Sequence, residues 1–542
     1  MRKLKLLTLI ALSAGGVWAQ VKAPVPPEFQ DLYSLLQRNL GYFDGKLADT
    51  GNSSAYPVNF GAELYAADAA GLMTGPGYYD TFVTAYLDRL QALGVKSVKV
   101  AIGFPMLYRP FHENFRGKPG EYETYLAVYK RLADDVHRRG LKLIMHSQLI
   151  HPKNDQLGVG RYFASLDFNQ YQAGRSSVIQ TLARELKPDY LIAQTEPSTE
   201  FGDSQKKEIG DLKGDMAMLN RILGDLRAAN LHTMVVGAGI GTWQPKFADW
   251  LDALVHLSEL DLLDIHIYPI AHRGPVGLMT RILDMADAAR ANGKKVGMSE
   301  AWSYKQRDEE MGPGRMTSTD IYARDAYSFW APVDQEFMRL IVKFARVKQL
   351  EYVSFFNDKY FFTNLDYDQV KNDGCGNDHH PCTGGEIEQL SNRALQQALK
   401  SEKFTETGLY YKRLISTAGG LPAETPMSEP RTVGSASPDG KWVSDFPLPG
   451  GRKGTAHMTM NLRVDGNRIS GTIRTEAGRF KVSKEIQDGK IDGNRFTFTT
   501  TENSRKGGMT LQWEGTIDGD RISGTRKPEG SDQGFPFTAR RP

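Results

Sequence analysis

ALGVKSVKVAIG, residues 92–103, holds the fold in miniature. A helical run closes at Gly94, and an apolar, β-branched run follows at once. The same junction returns as RRGLKLIMH at 138–146 and as ANGKKVGMS at 291–299. Gly94, Gly140 and Gly293 each stand where a helix leaves through a left-handed residue, a conformation glycine enters without a Cβ penalty.

Outward from these junctions the alternation runs from about 56 to 415. Strands are expected at 58–64, 95–103, 141–149, 189–196, 232–240, 262–269, 294–300 and 350–357. Helices are expected at about 78–93, 121–139, 169–187, 211–229, 246–258, 276–292, 334–348 and 386–400. Eight strands, each followed by a helix, predict an α/β fold, a closed (β/α)8 TIM barrel over 56–415. A doubly wound open sheet would alternate in the same way. It is disfavoured because no Gly-rich phosphate loop follows the first strand.

Different material flanks the barrel. Residues 1–19 read as a signal peptide: Arg2, Lys3 and Lys5, then an apolar Leu6–Leu12 core, then Val17-Trp18-Ala19 before a cut at Gln20. A leader follows at 20–55, extended around Pro24, Pro26 and Pro27, with a short helix near Asp31 to Leu40. Residues 416–438 form a Pro-containing linker without apolar periodicity. The segment 439–542 repeats RVDGNRISGTI, KIDGNRFTFTT and TIDGDRISGTR. Asp-Gly-Asn or Asp-Gly-Asp between alternating apolar residues is a hairpin signal, so about eight short strands should build a C-terminal all-β antiparallel barrel or sandwich. This tail resembles small β-domains appended to exported bacterial proteins.

Composition narrows the function. The 542 residues are 40% hydrophobic, 10% aromatic and 24% charged, with a formal charge of +3. Loss of Arg2, Lys3 and Lys5 with the signal brings the mature chain near neutrality. That disfavours a nucleic-acid partner and suits a neutral substrate. The apolar core of the signal is too short to span a membrane and no later run is long enough, so a secreted or periplasmic protein is expected. Cys375 and Cys382, in KNDGCGNDHHPCTGG, are expected to form a disulfide closing a small loop. The alternative is a zinc site from Cys375, His379, His380 and Cys382, against which stand the adjacent histidines and the oxidising compartment.

The chemistry is expected at two carboxylates. Glu196 ends the apolar run DYLIAQTEP and Glu300 ends KKVGMSEAW. Both fall at C-terminal strand ends, three strands apart, where such barrels keep their active sites. Pro197 cannot donate to a sheet ladder, which puts Glu196 on the rim. By the period of two, Val296, Met298 and Glu300 should share one face. Asp264, His266 and Tyr268 should share one face of strand six, with Tyr268 placed to hydrogen-bond the strand-seven carboxylate and His266 to orient it or a sugar hydroxyl. Trp302 offers an aromatic face for a sugar ring. Lys99, in an otherwise apolar strand, needs a partner: either it reaches the catalytic carboxylates or it lies on the outer face and snorkels. His146, Gln148, Gln194, Glu63, Asn357 and Asp358 are rim candidates for hydroxyl recognition. Tyr108, Phe111, Phe115, Tyr304, Tyr322, Tyr327 and Trp330 supply aromatics on the loops 104–120, 301–333 and 358–385.

With those residues in view, 56–415 resembles the large clan of retaining glycoside hydrolases whose (β/α)8 barrels carry catalytic glutamates at the ends of strands four and seven. Thr195-Glu196-Pro197 is similar to the clan's Asn-Glu-Pro, which implies Glu196 as acid/base. Ser299-Glu300 is similar to its strand-seven glutamate, which implies Glu300 as nucleophile. Tyr268 falls where the clan has a strand-six Tyr, and His266 where related histidines occur. Three positions depart: Thr195 stands for Asn, Lys99 for Arg, and Phe355-Phe356-Asn357 for the usual strand-eight Trp.

The expected protein is therefore a secreted glycosidase that cleaves a neutral oligo- or polysaccharide by double displacement, with no cofactor. Its rivals are a non-catalytic glycan-binding barrel and a metal-dependent barrel hydrolase using His146, His266 and the two glutamates. The sequence carries no signal for the sugar, the linkage or the oligomeric state.

Overall fold

The computed structural model describes residues 24–48, 56–67, 70–152, 157–268, 275–307, 310, 315–376, 378–416, 440–447, 455–465, 468–477, 480–492, 495–504, 507–518, 521–528 and 535–541. The predicted signal peptide and all but the first residue of the predicted linker lie outside them. Ser416, that first residue, ends a helix at Glu406–Ser416. The chain divides into two compact units, Met1–Ala423 and Glu424–Pro542. Among the described residues no helix is long and apolar enough to cross a membrane.

The first unit is a closed barrel of eight parallel strands in sequential order. They are β1 (Asn59–Glu63), β2 (Ser97–Phe104), β3 (Lys142–Leu149), β4 (Tyr190–Ile192), β5 (Val235–Gly241), β6 (Leu262–Ile267), β7 (Lys295–Ala301) and β8 (Tyr352–Phe355). The predicted alternation is present throughout. Gly94, Gly140 and Gly293 have φ of 95°, 71° and 71°, the left-handed exits expected of them. Helices such as Glu121–Arg138, Leu212–Ala228 and Ala331–Val347 turn apolar faces onto the sheet.

The barrel interior is filled in layers. At its N-terminal end Ile144, Tyr190, Ile192, Leu262 and Tyr352 form an apolar plug. Small residues make room for it. A Cβ on Gly297 would lie 2.3 Å from the Tyr352 ring, and one on Gly237 would lie 2.7 Å from Ile192. Above the plug the interior becomes polar, and there the chemistry-bearing residues gather.

Two expectations are corrected. The leader carries a long helix, Gln30–Ala48, whose Leu32, Leu36, Leu40, Phe43 and Leu47 are buried in the main core. Its apolar spacing of three and four continues past Leu40, which a short helix would have wasted. The strand predicted at 189–196 stops at Ile192, and Glu196 instead forms the N-cap of a helix at Pro197–Ser204.

The second unit is an antiparallel barrel of nine strands, one more than expected. They are β9 (Gly440–Pro447), β10 (Thr455–Asp465), β11 (Arg468–Ala477), β12 (Phe480–Glu485), β13 (Gln487–Asp492), β14 (Arg495–Ser504), β15 (Gly507–Asp518), β16 (Arg521–Pro528) and β17 (Phe535–Arg540). The three repeats are hairpins, closing at Asp465↔Arg468, Asp492↔Arg495 and Asp518↔Arg521. Each closure leaves two residues for the turn, as the Asp-Gly-Asn pattern requires. Trp442, Met458, Met460, Phe496, Phe498, Trp513 and Phe537 fill the interior. Eight strands close the ring, while β12 pairs outside it along β11. The ring is unevenly stitched: β14 and β15 pair over ten residues, but among the described residues β11 meets β13 only at Arg468↔Lys490, and β17 meets β9 only at Arg540↔Val443.

Candidate active site

The mouth of the barrel is organised by β6 and β7. Asp264, His266 and Tyr268 point inward as the period of two predicts. In β7 the simple alternation fails. Asp264 is in register with Gly297 but His266 with Glu300, so one extra residue is inserted into β7 between them. This bulge turns both Ser299 and Glu300 into the barrel, while Val296 and Met298 stay in the core packed against the helices. The expectation that Val296, Met298 and Glu300 share a face is overturned by that inserted residue.

The two glutamates converge on one ring. His266 Nδ1 lies 2.6 Å from Glu196 Oε1 and 3.5 Å from Glu300 Oε2. Two oxygens that close to one nitrogen cannot be farther apart than those lengths laid end to end. Lys99 Nζ contacts Glu63 Oε1 and lies 2.5 Å from Glu300 Oε1. The Tyr268 hydroxyl donates to Glu300 Oε2. His146 Nε2 lies 2.6 Å from Thr195 Oγ1, while its Nδ1 has no hydrogen-bond partner and stands 3.7 Å from Glu300 Oε1.

Proton positions follow from this pattern. Ser299 Oγ donates to Asp264 Oδ2 at 2.5 Å, since a carboxylate only accepts. Its lone pairs are then left to accept from His266 Nε2 at 2.8 Å. Asp264 is fixed in turn by the Tyr352 hydroxyl at 2.8 Å and the Ser299 amide at 3.0 Å. His266 thus donates through Nε2 and faces the carboxylates through Nδ1. Burial opposes a charge on this ring, but Glu300, Asp264 and Glu196 override it and raise His266 to about 10. Burial, then Lys99 and His266, push His146 well below its usual value, so it is neutral. Glu300 is also buried, which disfavours its charge, yet Lys99 and His266 hold it well below the usual carboxylate range. Burial and the charge of Glu300 lift the Tyr268 phenol well above its usual value, so it keeps its proton.

Ser299, His266 and Glu196 lie in the order of a nucleophile, base and orienting acid. Ser299 is completely buried and its proton is committed to Asp264, so it is no nucleophile. His146, His266 and Glu300 offer ligand atoms within 4.8 Å of one another. The residues fit a metal poorly. The Lys99 ammonium already sits on Glu300, and both nitrogens of His266 are engaged.

Several predicted site residues lie elsewhere. Trp302 is completely buried: its indole donates to Asp325 Oδ2 at 3.1 Å and Lys305 Nζ sits 5.0 Å above the ring, leaving no face for a sugar. Gln194 is buried behind the rim and donates to Glu200 Oε2 at 3.1 Å and Asp215 Oδ1 at 2.8 Å. Asn357 is buried and donates to Asp325 Oδ2 at 3.3 Å. Phe111 and Trp330 are loop core. Cys375 and Cys382 form the expected disulfide, which removes both thiolates from the zinc alternative. His380 is held instead by Asp378 at 2.8 Å and Glu386 at 3.0 Å.

Sequence reasoning missed an aromatic residue at the mouth. Half-buried Trp243 lies 5.8 Å from Tyr268, whose ring also neighbours Phe356 at 5.3 Å and Tyr304 at 6.0 Å. The indole packs flat on Gly241, where a Cβ would approach it to 2.5 Å. Thr242-Trp243 directly follows strand five, and that placement is the available signal.

The charge on His266 predicts a pH dependence. A folded-state value raised from 6.5 to about 10 gives stability that is whole below pH 6.5 and lost as pH rises toward 10. His266→Asn is expected to flatten the decline of unfolding free energy between those pH values, measured by urea titration at intervals across the window. An unchanged slope would show that the ring is neutral.

No protein-family model matches the sequence, and no curated protein matches it. Among solved structures the chain is similar to a GH53 catalytic domain from Ignisphaera aggregans, at 13% identity and a TM-score of 0.36, covering 57% of this chain and 88% of that one. It is similar to a GH1 β-glucosidase from Exiguobacterium antarcticum, at 11% identity and 0.40, covering 67% and 99%. It is also similar to a family 1 β-glucosidase from Thermotoga maritima, at 11% and 0.33, covering 56% and 87%. Identities and scores this low carry nothing about chemistry, which rests on the geometry of the site itself.

Proposed function

We propose that this protein is an exported glycoside hydrolase that cleaves a neutral glycan with retention of configuration. The observation that carries the proposal is the meeting of Glu196 and Glu300 at His266 Nδ1, 2.6 Å and 3.5 Å away. Retaining enzymes need carboxyl groups about 5–5.5 Å apart, whereas inverting ones leave room for a water at about 6.5–9.5 Å. The short reach through one nitrogen supports the first.

The roles follow from the surroundings. Glu300, ionised by Lys99 and aimed by Tyr268, attacks the anomeric carbon. Glu196, on the more open side of the pair, accepts from His266 through Oε1 and, with a proton on its other oxygen, hands that proton to the departing glycosidic oxygen. The resulting glycosyl ester on Glu300 is opened by a water whose proton returns to Glu196. Trp243, Tyr304 and Phe356 offer apolar faces for the sugar at the mouth. Export is supported by the basic and then apolar sequence of residues 1–19.

Purified protein is to be screened on β-linked polysaccharides and aryl glycosides, with Glu196→Ala and Glu300→Ala as controls and proton NMR reading the first anomer released. Hydrolysis with retention, absent from the Glu300→Ala control, is the expected result. Release of the inverted anomer would remove Glu300 as nucleophile. Glycan binding without turnover would favour the binding barrel.

A further inference from the structure

Lys99 stands between two carboxylates, Glu63 and Glu300, and all three side chains are buried. Glu63 and Lys99 face one another in register across β1 and β2, so the barrel backbone holds them together. Asp358, also fully buried, is pushed well above the usual carboxylate range by burial and then by the charge of Glu63. Asp358 is therefore neutral, and the negative charge in that corner belongs to Glu63.

We propose that Glu63 is a positioning residue for the hydrolysis: the standing counter-ion of Lys99, which keeps that ammonium neutralised while Glu300 is consumed as the nucleophile. The proposal rests on the glycosidase reading above. In the first step a Glu300 oxygen forms a bond to the anomeric carbon, the glycosidic C–O bond breaks, and the leaving oxygen takes the proton of Glu196. Glu300 becomes a neutral ester, and Lys99 loses a negative neighbour at that moment. A buried cation stripped of compensation is costly, and the cost would fall on the intermediate. With Glu63 paired in the sheet, the ammonium is matched before and after attack. His266 is served in the same way by Asp264 Oδ2, 3.4 Å away, which also outlasts the charge of Glu300.

Glu300→Gln imitates the uncharged ester without any substrate, so the idea can be tested on the full chain by thermal unfolding. Four variants are compared at neutral pH: Glu63→Gln, Glu300→Gln, both together, and both with Lys99→Met added. The double variant is expected to melt lower than the sum of the single effects, by roughly 10 °C in all, and Lys99→Met is expected to recover most of that loss. Additive losses, or no recovery with Lys99→Met, overturn the proposal. Should the double variant not fold, the triple variant decides: a folded triple supports the proposal and an unfolded one overturns it. A kinetic arm uses Glu63→Gln with a dinitrophenyl glycoside and a 2-fluoroglycoside trap. Its kcat/KM, which reports formation of the intermediate, is expected to fall at least tenfold further than reactivation of the trapped enzyme. Equal losses in both steps overturn the role. A wild-type protein that hydrolyses no glycoside defeats the hydrolase reading and with it the kinetic role, whereas the melting cycle still judges the charge pairing.

Discussion

Glu300→Gln is expected to lower kcat/KM on an aryl glycoside at least 10⁴-fold, roughly 5 kcal/mol of transition-state stabilisation. The change alters almost nothing in volume and leaves an oxygen for Tyr268 to bond. What it removes is the electron pair that attacks, together with the charge that Lys99 and His266 are arranged to hold. Retained affinity for an unreactive glycan would show that the pocket survives. Added azide gives the sharper check with Glu300→Ala: it should enter from the vacated face and yield a glycosyl azide of inverted configuration. A Glu300→Gln protein with activity near wild type would mean that another group does the attacking.

Arg175→Met is expected to destabilise the first unit by about 3–5 kcal/mol, read as a fall in the denaturant midpoint. Arg175 is completely buried. Its guanidinium donates to Ser147 Oγ at 2.7 Å and to the Ala193 carbonyl at 3.0 Å, and pairs with Glu200 at 3.2 Å. Glu200 also accepts from the Tyr171 hydroxyl at 2.6 Å and sits in the helix that Glu196 caps. Beside it, burial and the charge of Glu200 push Asp215 well above the usual carboxylate range, so that acid is neutral. Removing the arginine leaves Glu200 charged in a dry site. The paired change Arg175→Met with Glu200→Leu removes both charges and is expected to recover much of the loss. Recovery of stability without recovery of turnover would show that this network aims Glu196 as well as supporting it.

The architecture was legible because its signals are local. A glycine after three of the helices, at Gly94, Gly140 and Gly293, and an apolar run after each of those glycines need no knowledge of distant neighbours, and the hairpins of the second unit announce themselves through Asp-Gly pairs. Lys99 is legible in part: an ammonium in an apolar strand either reaches a carboxylate or snorkels outward, and the structure puts it on Glu63 and Glu300. The misplaced residues share one cause. Nearness to a strand end marks Gln194, Trp302 and Asn357 as site candidates, but it fixes height along the barrel and not direction. Where β4 stops, and where β7 takes in its extra residue, depends on pairing with β5, β6 and β8, and that pairing leaves no mark in the strand itself. Its place at the end of strand one marks Glu63 as a rim residue for hydroxyl recognition. Its partner lies across the sheet, and only the register of β1 on β2 reveals the pair.

The two single-pair joins in the second unit have a consequence of their own. They fall between the same two groups of strands, β9–β12 and β13–β17, so the domain is two curved plates whose backbones are joined along two narrow lines and whose inner faces share one apolar core. Amide protons along those lines should trade with solvent together, far sooner than those within either plate. A force or a destabilising substitution would part the plates there first, baring Trp442 on one and Trp513 on the other and brightening or quenching their fluorescence before either plate unravels.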